Sequence, residues 1–399
     1  MQKRMNIQEN LPPMKDNLKS ILFVIPSISL GGTTTALAGI LNSDFTQNHR
    51  VDVYAIIDSN NHLDPVSNYD VGHNGLTSAF YGNFSSFDIW QKINYLWVKL
   101  LIQVKVLYPI IESWILRKTI KRLEKSRRYD YIVGFQEGLA TRFARHFACK
   151  NKIAWIHCDY ARAFGTVGKE EYLYQHYSKI VCVSNYTRKS FVDIYPMFAG
   201  KTIAIHNIFD AKNVIEKSQD PVEDERFDTS LFTIISLGRI CDVKRFYLIP
   251  EIISKLKEYN VSIRWYILGN VNEQKELDKL NLSIKQNGTE AMLVYLGSKK
   301  NPYPYLKASD LMVSVSSSEA CPMIFNEAKI LHVPILSSDF GSAFEFIEQG
   351  VDGYITPIEQ MPKKIVELIT CQSDLKKIIQ SEFKDSNNEI QQQLTSLFS

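Results

Sequence analysis

The stretch Ser316-Ser317-Ser318-Glu319-Ala320-Cys321-Pro322-Met323-Ile324-Phe325-Asn326-Glu327-Ala328 decides how this chain folds. Just upstream, Asp310-Leu311-Met312-Val313-Ser314-Val315 is short, mostly apolar and preceded by a helix-like Tyr303 to Ala308, as a buried strand should be. Pro322 suits the first turn of a helix, where its missing N–H costs nothing. Glu319 is therefore predicted in the loop at the carboxyl end of a strand, and Glu327 inside the helix that follows. Open parallel sheets bind their ligands at that edge. Two carboxylates at this spacing can grip hydroxyls at two places on an extended ligand, and the free amides of the helix start between them suit a phosphate. A plainer pattern has the same spacing: one glutamate favoured by the helix dipole and another in solvent.

Strand-then-helix alternation extends in both directions from this stretch. Phe232 to Arg239 reads as a strand ending at Gly238 and a cation, and Lys244 follows five residues later. A planar guanidinium and a compact ammonium at one strand end suit a diphosphate, although a solvated surface pair has the same appearance. Further strands are predicted at Arg264 to Asn270, Leu293 to Gly297, Val333 to Asp339 and just after Gly350, with charged helix from about residue 359. In the first half, strands are predicted at Ser20 to Pro26, Arg50 to Ile57, Asp130 to Phe135, Lys152 to His157, Lys179 to Asn185 and Ile203 to Asp210. Gly31-Gly32 precedes a helix from Thr33 to Leu41; such a pair lets the backbone approach a phosphate, and equally makes a tight turn. His157 arrives at the end of its strand, where a histidine is either structural or a ligand contact.

A chain of 399 residues exceeds what one core organises, so two domains are expected. The alternation makes each an α/β, doubly wound, Rossmann-like unit, with a cleft between them. The expected boundaries are a lead-in over 1–18, a first domain over 19–210, an acidic linker over 211–230, a second domain over 231–370 and a C-terminal helical region over 371–399.

The apolar content of 45% and charge of 22% describe an ordinary globular protein. Six cysteines without a Cys-x-x-Cys pair fit neither a zinc ribbon nor a thioredoxin motif, and a reduced, cytoplasmic setting is expected. No signal-peptide core precedes the first strand. Residues 92–128 carry ten Lys or Arg against two acids, a net +8, which leaves the rest of the chain at −5 beside a formal +3 overall. Within them, Trp97, Leu100, Leu101, Val104, Leu107 and Tyr108 recur at helical spacing, and Pro109 is expected to break or kink the pattern. Such a segment suits an anionic membrane surface through Arg117, Lys118, Lys121 and Arg122; the alternative is a helix packed on its domain with solvated charges. Nucleic acid is not expected, because no nucleic-acid module accompanies the charge.

From Leu296 to Ile355 the text resembles the nucleotide-sugar half of glycosyltransferase family 4, which has the GT-B fold. The matching features are a Tyr-containing helix, Ala-Asp, a strand, Ser-x-x-Glu, Pro322, Glu-Ala and a late Gly. Gly238-Arg239 with Lys244, Gly31-Gly32, Trp155-Ile156-His157 and Asn207 extend the resemblance over most of residues 20–358. Ala320 and Arg245 stand where the family has Gly, Ile208 replaces the Gly after Asn207, and Thr33-Thr34 replaces its Ala-Glu.

The resemblance implies transfer of a sugar from a nucleoside diphosphate sugar to a hydroxyl of a glycan or lipid-linked acceptor, with retention, in bacterial surface polysaccharide assembly. Arg239 and Lys244 would hold the diphosphate, Glu319 the sugar, Glu327 the ribose, and His157 the transferred sugar. Donor contacts would run through Gly31, Gly32, Asn207, Ala320, Cys321, Pro322, Met323 and Ile324. The family implies a last helix that crosses back to the first domain. No metal or other cofactor is expected. A degenerate, donor-binding subunit is the alternative that Ala320 and Arg245 suggest, and Glu137 is a further candidate on the acceptor side.

Overall fold

The computed structural model describes residues 18–28, 31–57, 71–72, 108–165, 168–371, 375 and 386–399. The expected lead-in up to residue 17, the polar stretch from Asp58 to Phe87 apart from 71–72, the basic segment over 92–107 and much of the 371–399 region lie outside the described residues.

The first sheet is built from β1 (Lys19–Ile25), β2 (His49–Ala55), β3 (Val71–Gly72), β4 (Tyr131–Gly134), β5 (Asn151–Ile156), β6 (Lys179–Cys182) and β7 (Thr202–Ala204). Its order is β3-β2-β1-β4-β5-β6-β7, and each of its pairings is parallel. Ile21 to Ile25 are all buried, because helices cover both faces of the sheet and the strand needs no polar side. Phe23, Phe135 and Trp155 from neighbouring strands meet in one of the two flanking cores.

The second sheet contains β8 (Phe232–Leu237), β9 (Ile263–Leu268), β10 (Leu293–Gly297), β11 (Leu311–Ser314), β12 (Ile335–Ser337) and β13 (Gly353–Ile355). Its order is β10-β9-β8-β11-β12-β13, again parallel. Strand order reverses between β1 and β4 in one sheet and between β8 and β11 in the other. Chains leave those adjacent strands in opposite directions, so a crevice opens at their carboxyl ends. The loops after β1, β8 and β11 carry Gly31-Gly32, Arg239 with Lys244, and Glu319. The two-domain, doubly wound architecture expected from the alternation is the one observed.

Residues 211–228 hold a helix, Ala211–Lys217, whose first turn is capped by Asp210 accepting from the Asn213 N–H at 3.0 Å. The helix Asn387–Leu397 returns to the first domain, burying Ile390 and Leu394 there. Phe398 then packs within 5.2 Å of both Phe45 and Tyr131, and the Tyr131 hydroxyl donates to the Ser399 carbonyl at 2.8 Å. The crossing-back helix is thus present.

Polar contacts join the domains directly. Glu345 accepts from the Asn185 and Tyr186 amides at 2.8 and 3.1 Å and from His206 Nε2 at 2.6 Å. These bonds place a carboxylate at the start of the helix Asn185–Ile194, where the dipole favours it, and hold Glu345 below its ordinary pKa despite burial. Arg162 pairs with Asp242 at 2.9 Å, and Ser318 donates to Asp159 at 3.2 Å.

Candidate functional site

A cavity of about 520 Å³ lies between the domains. Its lining includes Gly31, Gly32, His157, Asn207, Arg239, Lys244, Glu319, Ala320, Cys321, Pro322, Met323, Ile324 and Glu327, so every residue predicted for catalysis or donor contact faces one space.

At the β8 end, Gly238 has φ 146° and Gly269 has φ 153°. A Cβ on Gly238 would sit 2.7 Å from Lys244 Cε, and one on Gly269 would sit 1.8 Å from the Gly238 carbonyl oxygen. The two glycines let the cation loop fold closely over the strand ends. Lys244 Nζ then lies 2.6 Å from Glu319 Oε1, with each side chain 17% exposed. Ser316 donates to the same oxygen at 2.7 Å, which gives a physical use to the Ser-x-x-Glu spacing. Arg239 is exposed on the cavity rim and has no ion-pair partner among the described residues.

Pro322 caps the helix Met323–Ile330 and so precedes its first turn, one position earlier than the sequence suggested. Its φ of −73° fits the ring, and no side chain caps the helix start. Glu327 lies one turn in, where the Tyr303 hydroxyl donates to Oε1 at 3.2 Å. Burial pushes its carboxyl up to about 7, against the pull of the Tyr303 bond and the Lys244 charge.

Across the cavity, a Cβ on Gly31 or Gly32 would meet nothing within 4 Å among the described residues. Packing within the protein therefore does not demand glycine at either position, and the space stays open to a ligand. His157 packs edge-on to Phe135 at 4.7 Å. Its Nε2 is buried without a partner among the described residues, and burial lowers the ring to about 3, so it is a neutral imidazole at ordinary pH. Glu137, expected on the acceptor side, instead accepts the His157 backbone N–H at 2.7 Å and does not line the cavity. It sets the strand end behind the histidine. Asn207 bonds the Cys321 thiol across the domains, and burial raises that thiol to about 12, keeping it unionised.

Sequence reasoning missed Tyr303 as the partner of Glu327 and Asp159 as a tie to Ser318. It treated Arg245 as a departure only; its side chain reaches the Val315 and Ser316 carbonyls. Among the described residues, no group of three His, Cys, Asp or Glu side chains is placed to hold a metal.

Arg117, Lys118, Lys121 and Arg122 are exposed on the helix Tyr108–Ser126 and do not line the cavity. Pro109 is the second residue of that helix as described, and the pattern it is expected to interrupt, over residues 97–107, lies outside the described residues. Leu116 and Ile120 bury their side chains on the domain core, whereas Ile110 and Trp114 remain 63% and 56% exposed. Lys118 Nζ lies 4.8 Å above the Trp114 ring. No helix among the described residues is long and apolar enough to cross a membrane.

The fold and this cleft define the GT-B class. Anabaena HepE, solved with UDP and glucose, superposes with a TM-score of 0.70 at 17% identity over 95% of this chain and 98% of that one. TarM gives 0.69 at 14% identity over 96% and 99%. Residues 219–385 match the family described as glycosyl transferases group 1.

Relatives by sequence include the capsular polysaccharide biosynthesis glycosyltransferase CapH of Staphylococcus aureus, 27% identical over 53% of this chain and 56% of that protein. The O-antigen biosynthesis glycosyltransferase WbnH of Escherichia coli is 33% identical over 29% and 31%. The alignments span about half the length of the first relatives, 41% and 56%.

Proposed function

We propose that this protein is a retaining glycosyltransferase that moves a sugar from a nucleoside diphosphate sugar, a UDP-sugar by analogy with HepE, to a hydroxyl of a glycan or lipid-linked acceptor. The observation that carries this reading is the arrangement of Arg239, Lys244, Glu319 and Glu327 along one wall of the interdomain cavity. The free Arg239 and the amides at the start of Met323–Ile330 suit a diphosphate, and Glu327 suits the ribose diol. Names such as CapH and WbnH favour surface polysaccharide assembly as the setting.

In this reaction the bond between the anomeric carbon and the diphosphate oxygen breaks, and the acceptor oxygen bonds to that carbon from the same face. The acceptor proton passes to the departing diphosphate, so no separate base is required. Lys244 and Arg239 stabilise the charge that builds on the leaving group. Glu319 offsets the positive charge at the sugar ring, and neutral His157 bonds a sugar hydroxyl. No metal is assigned a part in these steps. Diphosphate binding draws Lys244 off Glu319, which frees that carboxylate for the sugar, so recognition of the two halves of the donor is coupled.

A thermal-shift and hydrolysis screen against UDP-, GDP-, ADP- and dTDP-sugars tests the reading. One donor that both raises the melting temperature and is slowly hydrolysed is expected. Silence across the panel with folded protein and added lipid-linked acceptor would overturn it.

The setting we propose is cytoplasmic, peripheral on an anionic membrane face through the helix Tyr108–Ser126. Each basic side chain near such a surface adds about 1 kcal/mol. Changing Arg117, Lys118, Lys121 and Arg122 to glutamine is therefore expected to lower binding to phosphatidylglycerol vesicles by at least ~100-fold. Unchanged sedimentation with vesicles would leave these four as solvent-facing charge.

A further inference from the structure

We propose that Arg245 is the positioning residue that keeps the cation loop and the sugar-side carboxylate loop in register. The inference deepens the glycosyltransferase reading and depends on it for its kinetic consequence. Lys244 and Glu319 lie 75 positions apart in sequence, yet their charged atoms lie 2.6 Å from one another. Something must fix one loop against the other to this precision.

Arg245 has φ 48° and ψ 32°, a left-handed conformation that glycine adopts freely and that strains any residue with a Cβ. The side chain supplies what offsets that strain. Its Nε donates to the Val315 carbonyl at 2.9 Å and its Nη2 to the Ser316 carbonyl at 2.8 Å, the two residues that follow β11. The Ser316 carbonyl also accepts from Ser338 Oγ at 2.5 Å, which extends the tie to β12. In the other direction, the Ser317 amide donates to the Val243 carbonyl at 2.8 Å.

Residues on both sides of Lys244 are thus bound to residues just before Glu319. The guanidinium reaches the two successive carbonyls from two different nitrogens of one rigid fork, Nε and Nη2, whereas an ammonium has a single nitrogen on a flexible stem. Arg245 is half-buried and does not line the cavity, so it acts through Lys244 and Glu319 and not on the substrate.

The first test needs no nucleotide. In protein carrying ¹³C-dimethylated lysines, with the Lys244 resonance assigned by its loss in Lys244→Arg, Arg245→Gly is expected to move that resonance toward its position in Glu319→Gln. Glycine removes the backbone strain together with the side chain, so a stable variant is expected; Arg245→Lys, which keeps charge without the fork, serves as the second variant and should behave likewise. A Lys244 resonance that stays at its wild-type position in both variants would overturn the proposal.

The second test is kinetic. Both variants are expected to lose about 10- to 100-fold in kcat with less than a threefold change in KM for the donor. Full activity in Arg245→Lys would show that charge alone suffices and would equally overturn it. If the wild-type protein binds none of UDP, GDP, ADP and dTDP, the glycosyltransferase reading fails, while the resonance experiment still decides the role of Arg245.

Discussion

Glu319→Gln is expected to lower transfer by about 10²- to 10³-fold while binding of UDP alone stays the same or tightens. The opposite signs follow from the 2.6 Å pair with Lys244. In the empty cleft the carboxylate occupies the ammonium that a diphosphate needs, so binding must first separate the two. Glutamine releases Lys244 for the diphosphate but cannot offset positive charge at the anomeric carbon. Lys244→Ala should instead weaken UDP by roughly 10- to 100-fold, the worth of a charge-assisted hydrogen bond of about 1.5–3 kcal/mol. Isothermal titration with UDP, beside turnover of the donor found by screening, separates the cases. Equal weakening of UDP by both substitutions would remove Glu319 from the sugar side of the site.

UDP affinity is also expected to fall as the pH drops below about 7, because burial holds the Glu327 carboxyl there in the empty protein. Hydroxyls of a ribose donate best to the carboxylate, so binding favours the deprotonated form and lowers the pKa. Affinity then rises with pH up to about 7 and levels off above it. The effect on stability has the other sign. A carboxyl raised above its unfolded pKa of 4.5 gives stability that is complete below that value and is lost as the pH climbs through about 7. Glu327→Gln should flatten the Glu327 part of the affinity profile, cost about 10- to 100-fold in UDP affinity at pH 8, and raise the melting temperature there. Titrations at pH 6, 7 and 8 on both proteins check this, with the phosphate's own ionisation common to the two. An identical pH slope in wild type and variant would place the ribose elsewhere.

Much of this site could be read from the chain because its ingredients are local. Apolar runs such as Ile21 to Ile25 and Leu311 to Ser314 show strands buried on both faces, and residues at strand ends inherit a place on the cleft. Glu319 and Glu327 were legible for that reason, as were Arg239 and Lys244. What the residues do to each other was not. The Lys244–Glu319 pair and the Arg245 fork join segments far apart in sequence and depend on β8 lying beside β11, while the Tyr303 bond to Glu327 joins the two helices that flank β11. Periodicity carries no information about that adjacency. Glu137 was misjudged for a related reason: a carboxylate after a strand can turn toward the cleft or toward the next strand's amide, and the His157 N–H is what it found.

The return of Asn387–Leu397 to the first sheet makes the second domain an insertion within the first. The outgoing and returning strands of the chain meet at one point, where Asn387 bonds both the N–H and the carbonyl of Phe209, at 3.3 and 2.8 Å. A chimera that borrows its second domain from a relative therefore needs two junctions, one on either side of that meeting point. A single cut in the 211–230 stretch would replace Leu394 and Phe398 with foreign side chains in the core around Phe23 and Tyr131, and the first domain would lose packing it never shared with the second.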